Sequence, residues 1–192
     1  MHTTKSDQRG SDVDGDQVGR DKITNNHHYG HRGPVKPTAM SRLIDKYERE
    51  EENATPLYEL IRQLRHFSAT SDYDVRGIEE KLRSSDRLDI LKQAMSLKEN
   101  AAKDLIKAPN SESAQKIYAL ILGEMCTNFI GVVDPMIRSG KSRDEIDLAI
   151  HEHVITPAYE SLETNPLVLT KMDIFSLYYF LAGNCHISWD AQ

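Results

Sequence analysis

Large apolar side chains are spread unevenly along this chain. Residues 1–38 hold few of them, whereas residues 39–192 carry almost all of the Leu, Ile, Phe and Met. In the second region they recur at intervals of three and four, the spacing of a helix with one buried face. Met40, Leu43, Ile44 and Tyr47 predict a first helix, and Thr55-Pro56, as N-cap and first helical residue, opens a second with Leu57, Leu60, Ile61 and Leu64 on one side. A short helix is expected over 75–84 and a longer one over 87–106, carrying Leu91, Ala94, Ala101, Ala102 and Leu105. The strongest pattern covers 112–138, where Ala114, Ile117, Tyr118, Ile121, Met125, Phe129, Val132 and Met136 form a stripe wide enough to predict burial on more than one side. Gly140 is its stop signal. Ser142 with Glu145 predicts a capping box for a helix lined by Ile146, Ala149, Ile150 and Val154, which Pro157 should break or kink. Thr170 should cap a last helix, with Asp173 in its first turn, Phe175, Tyr178, Leu181 and Ala182 inward, and Gly183-Asn184 at its end. No period-two run is long enough for a sheet, so the body is expected to be all-α, a bundle of about six helices.

The leader reads differently. Residues 1–38, bounded by the stiff connector Arg32-Gly-Pro-Val-Lys-Pro37, are rich in Gly, Asp and His, a composition compatible with disorder. Within it Val13, Val18 and Ile23 recur every five positions, and Asp16 and Asp21 keep the same phase. Period five belongs to short strand-and-turn coils, with Gly15 and Gly19 available for tight turns, and three such coils bury too little surface to stand alone. If ordered, they must stack on other copies, so Val13, Asp16, Val18, Asp21, Lys22 and Ile23 are the candidate self-association residues of a homo-oligomer. Gly-Asp-Gln-Val-Gly-Arg-Asp-Lys-Ile also resembles the motif Gly-Asp-x-Val-x-x-Asp-Lys-Ile, found near the N-termini of bacterial conflict and signalling proteins.

Charge narrows the function. A formal net charge of −6 argues against a broad nucleic-acid face, which needs clustered Lys and Arg. No uninterrupted run of eighteen apolar residues exists, so no membrane span is expected. The first residues lack the apolar core of a signal peptide, so the expected location is cytoplasmic, where Cys126 and Cys185 should remain reduced.

Candidate chemistry is sparse. Cys185-His186 invites zinc, but a structural site wants four ligands, and alternation of Cys185, Ile187 and Trp189 into the core, with His186 as a polar cap, explains the same residues. His151 and His153 stand two apart, about 200° around a helix, so they diverge where a zinc peptidase pair would converge. Arg62 and His66 are the nearest approach to a ribonuclease pair, and His27, His28 and His31 offer only adventitious metal binding. The run Glu48-Arg-Glu-Glu-Glu52 is a solvated face or a patch for a basic partner. With no Gly-rich phosphate loop, ATP hydrolysis would belong to a partner. No cofactor is expected.

Residues 72–190 resemble the helical C-terminal domain of bacterial ABC-three-component conflict systems. The matching pieces are Gly77-Ile-Glu-Glu-Lys-Leu82, Leu97-Lys-Glu99, Ser113-Ala-Gln-Lys-Ile-Tyr118, Ile146 through Ile155-Thr-Pro157, and Gly183-Asn-Cys-His-Ile-Ser-Trp-Asp190. Ala182 departs from the Thr expected before that Gly-Asn. The resemblance implies an antiviral module built from an ABC-type ATPase, a middle component and an effector, with this domain as the coupling part. Asn184, Cys185, His186 and Trp189 are its motif residues, expected to be structural. Since no effector enzyme precedes the domain here, the function expected is a non-enzymatic adaptor that docks an ATPase or effector subunit. The alternatives are a small hydrolase, such as a ribonuclease using His66 or His186, and a sensor of a viral component.

Overall fold

The stripe predicted over 112–138 becomes the axis of the helical body. The computed structural model describes residues 37–50, 61–69, 76–107 and 111–190, and there it is all-α, with seven helices and no strand among the described residues. The repeat residues Val13, Asp16, Val18, Asp21, Lys22 and Ile23, the histidines 27, 28 and 31, and the predicted Thr55-Pro56 cap lie outside the described residues.

In chain order, α1 is Ala39–Glu50, α2 Arg62–Ser68 and α3 Ile78–Ser84. Helix α4 opens with a 3-10 turn, Leu88–Ile90, and continues as Leu91–Lys107. Helix α5 is Glu112–Arg138, α6 spans 143–160 and α7 is Lys171–Gly183. Helices α1, α2, α6 and α7 all pack on α5; α4 makes the most extensive helix pair of the molecule with α7, and α3 adjoins α4. By length and by a stretch of mean hydropathy 1.4, α5 could cross a membrane. Here those apolar residues form the centre of the core: Ala114, Ile117, Tyr118, Ile121, Leu122 and Met125 are all buried.

Helix α2 begins only at Arg62, with Ile61, expected on its helical face, in an extended conformation as the N-cap. Two further helices differ from their sequence reading for a shared reason. Each contains a π turn, Phe129–Val133 in α5 and His151–Ile155 in α6. One extra residue per turn rotates everything after it, so the inward positions become Val133 and Ile137, while the expected Val132 is 37% exposed and Met136 only half-buried. Each π turn also ends two residues before a proline, Pro135 or Pro157. A mid-helix proline lacks an N–H and crowds the carbonyl four residues back; the widened turn absorbs that misfit. Pro157 therefore does not break α6, which runs on to Glu160.

The predicted capping box of Ser142 with Glu145 is present, and the predicted Thr170 cap closes a second box with Asp173. At the start of α5, Ser111 accepts from the Ala114 N–H and donates to Glu50 Oε2 at 3.0 Å. Glu50, read as part of a solvated run, thus turns inward to join α1 to α5, while Glu48 and Arg49 stay exposed.

Candidate functional site

Helix α7 is buried almost all round, and the chain beyond it forms a fixed tail rather than a frayed end. Cys185 adopts φ +66°, its N–H donates to the Ala182 carbonyl at 3.3 Å, and the His186 N–H donates to the Leu181 carbonyl at 2.9 Å. That is the Schellman arrangement, whose left-handed position is usually glycine. The expected stop at Gly183-Asn184 is thereby refined: Gly183 is still helical and Cys185 makes the reversal. Gly140, by contrast, occupies this position as predicted, at φ +72°, and Asp86 does so after α3 at φ +55°.

Beyond the reversal, Cys185, Ile187 and Trp189 alternate into the core as expected, each at most 5% exposed. Every motif side chain then meets a partner from another element. The Asn184 Nδ2 donates to the Phe67 carbonyl at 3.1 Å, and His186 Nε2 meets the Ala69 carbonyl at 3.2 Å, so both fasten the end of α2. The Cys185 thiol donates to the Arg76 carbonyl at 3.3 Å. Trp189 Nε1 donates to the buried Tyr178 hydroxyl at 2.5 Å, and its ring meets those of Tyr178 and Tyr179 at centroid distances of 6.0 and 6.1 Å.

Two residues that sequence reasoning did not single out hold the tail from α3 and the segment just before it. Lys81 is fully buried, and its Nζ donates to the carbonyls of Ala182 and Ile187, both at 2.9 Å. The Ala182 position therefore acts through its backbone, which Ala supplies as well as the expected Thr. The signal was present but faint: Lys81 lies on the apolar face that carries Ile78 and Leu82. Arg76 grips Asp190 through both nitrogens, at 2.6 and 3.0 Å, and Ser188 donates to the same carboxylate. Burial pushes the Asp190 carboxyl up, but hydrogen bonds from Arg76, Ser188 and Ser84 and the Arg76 charge outweigh it and hold the group at about 2. A second network, also unpredicted, joins α4 to α6: buried Arg87 pairs with Asp147 at 2.5 Å, and Arg143 chelates Asp89 at 2.9 and 2.7 Å.

The zinc reading finds no support in this geometry. Cys185 and His186 face opposite ways, and no group of three His, Cys, Asp or Glu among the described residues is placed to hold a metal. Both cysteines are free, and burial pushes the Cys126 thiol up to about 11. His151 and His153 are exposed, as expected. His66 and His186 do come together, with ring centroids 5.3 Å apart and Phe67 edge-on to both.

The tail and the α3 segment that clamps it bound a recognisable unit. A family model described as C-terminal domain 9 of the ABC-three component (ABC-3C) systems matches residues 77–189, more than half of the chain. The chain belongs to this family. No curated protein and no solved structure matches it. The family places it in the ABC-3C antiviral defence systems, which implies partners in a multi-part assembly. The matched stretch begins just ahead of Lys81 and ends at Trp189, so its two ends are the parts joined by the clamp. Helices α1 and α2 precede the matched ABC-3C region and lie outside it.

Proposed function

We propose that this chain is a non-catalytic assembly component of an ABC-3C defence system, acting in the cytoplasm. Its helical body docks an ATPase or effector subunit, and its leader gathers copies through Val13, Asp16, Val18, Asp21, Lys22 and Ile23. The observation that carries this reading is the inward commitment of the family motif: Asn184, Cys185, His186 and Trp189 all bond to the protein itself. Residues used to fix a scaffold leave recognition to its surface, which presents apolar side chains such as Val168, 80% exposed, and Met172, 58% exposed. Clustering by the leader would turn weak one-to-one contacts into avid ones.

The test is co-purification with the ATPase and effector subunits of the same system, with mass measured by light scattering. Replacing Val18 and Ile23 with Asp should collapse an oligomer to the protomer. An unchanged mass would sink the self-association half; failure of every subunit to bind would sink the docking half.

A second reading draws on the approach of His66 to His186 beside exposed Arg62 and Arg65. A paired acid and base could serve a ribonuclease. It predicts RNA turnover by purified protein that His66→Ala abolishes.

A further inference from the structure

Helix α1, the middle of α5 and the end of α6 with its following turn enclose an open groove of about 610 Å³. Its floor is apolar, built from Met40 and Ala119, with Leu120 at 38% exposure on the edge. Three carboxylates, Glu124, Glu160 and Glu163, reach its wall, and among the described residues no Lys, Arg or His lines it. Glu163 accepts a long bond from Thr38 Oγ1 at 3.4 Å across the mouth; none of the three forms an ion pair among the described residues. Other surface carboxylates do find a cation, as in Glu79–Arg83, Glu112–Lys116, Asp134–Arg138 and Glu145–Lys141.

An apolar floor beside unpaired negative charge selects its occupant. Phosphate-bearing ligands, whether nucleic acid or an anionic membrane surface, would be repelled by the carboxylates. An acidic or neutral helix would leave the three charges partly desolvated without a partner. A helix or strand with aliphatic side chains on one face and Lys or Arg flanking them satisfies both features, the first by burial and the second by charge complementarity. We propose that this groove is the docking site for a basic amphipathic segment of a partner subunit. The proposal rests on the adaptor reading above and adds the site and the chemistry of the partner. Because α1 supplies one wall and lies outside the matched family region, the groove distinguishes this chain from the domain alone.

The test compares two full-length variants of identical net charge. E124K/E160K/E163K reverses the groove, and E80K/E99K/E152K reverses exposed carboxylates elsewhere; should the first melt early, E124Q/E160Q/E163Q replaces it, matched by E80Q/E99Q/E152Q. Calorimetry then measures a synthetic leucine–lysine amphipathic peptide, its glutamine-for-lysine sibling, and the ATPase and effector subunits of the system. The expected result is at least about tenfold weaker lysine-peptide and subunit binding by the groove variant, corresponding to about 1.4 kcal/mol. The control variant should bind as wild type, the glutamine sibling should bind more weakly, and affinity should fall as salt rises. Equal losses in both variants would mean unspecific attraction and overturn the proposal. So would a subunit that binds the groove variant as tightly as wild type, an outcome that leaves the adaptor reading standing. A wild-type chain that binds no subunit removes the adaptor reading, and the groove proposal with it.

Discussion

The ammonium of Lys81 donates to the carbonyl of Ile187 at 2.9 Å, joining helix α3 to a tail 106 positions further along the chain. The same nitrogen holds the Ala182 carbonyl, so one side chain fixes both the end of α7 and the segment after it. Lys81→Met keeps the bulk of the side chain but leaves the buried Ile187 carbonyl without its donor, while the Ala182 carbonyl keeps only the Cys185 N–H. The expected cost is about 1–3 kcal/mol for the orphaned Ile187 carbonyl, with about 0.5–1.5 kcal/mol more for the bond lost at Ala182. Urea unfolding measures it. Trp189, the only Trp in the chain, reports specifically on the tail, and its fluorescence should change at lower urea than the helical signal. Stability within about 0.5 kcal/mol of wild type would contradict this account.

Trp189 and Tyr178 supply a cleaner separation of polar from packing effects. Trp189→Phe keeps an aromatic ring but leaves the fully buried Tyr178 hydroxyl without its indole donor. Adding Tyr178→Phe removes the stranded hydroxyl as well. The double variant should recover about 1–3 kcal/mol of what the single change loses beyond its smaller ring. Strict additivity in a double-mutant cycle would show that the hydrogen bond contributes nothing.

Protonation of His186 should destabilise the packed tail, because it charges a partly buried ring. Burial depresses the imidazole below its usual range; the carbonyls of Ala69 and Phe67 act against this, while His66 and Lys81 reinforce it. A depressed folded value means that the contribution is fully present above about pH 6.5 and is lost as pH falls through the lower folded value. The melting temperature of the wild type should therefore drop between neutral and mildly acidic pH, and less so for His186→Gln. Parallel pH profiles for the two proteins would refute the assignment.

Asp190 governs a more acidic window. Held at about 2 in the fold against about 3.9 unfolded, it stabilises the protein above about pH 4 and ceases to do so as pH falls through about 2. Asp190→Asn should lower stability at neutral pH and flatten the acid limb of the stability curve. An acid limb as steep as that of wild type would show that other carboxylates dominate it.

Asp86 offers a gain instead of a loss. It is exposed, sits at φ +55° and holds Arg143 through its main-chain carbonyl, its carboxylate adding only a minor attraction to that cation. Asp86→Gly removes about 1–2 kcal/mol of left-handed strain against about 0.5–1 kcal/mol of added chain entropy. A rise in melting temperature is expected; a fall would mean that the Asp86 side chain does more than the geometry indicates.

Local pattern was enough for much of this protein. Helical spacing placed α1 and α3 to α7, and the side chains of Ser142, Glu145, Thr170 and Asp173 announced their caps, because a helix and its first turn are decided within a few residues. Alternation after α7 likewise located Cys185, Ile187 and Trp189 in the core. Where a neighbour outside the ideal helical repeat intervenes, pattern alone misled. Val132 has the right spacing for an ideal helix, and only the π turn ahead of Pro135 turns Val133 inward in its place. Glu50 reads as one more surface acid until α5 brings Ser111 to it.

The sequence by itself determined the all-α class, the capped starts of α6 and α7 and the inward face of the tail, since these follow from periodicity, capping chemistry and the cost of exposing large apolar groups. Tertiary structure alone decided that a lysine could be buried at position 81, that His66 would meet His186, and that three glutamates from two helices and a turn would share one apolar groove. Those outcomes depend on which carbonyls, rings and charges packing brings together across the chain, and no local spacing encodes them.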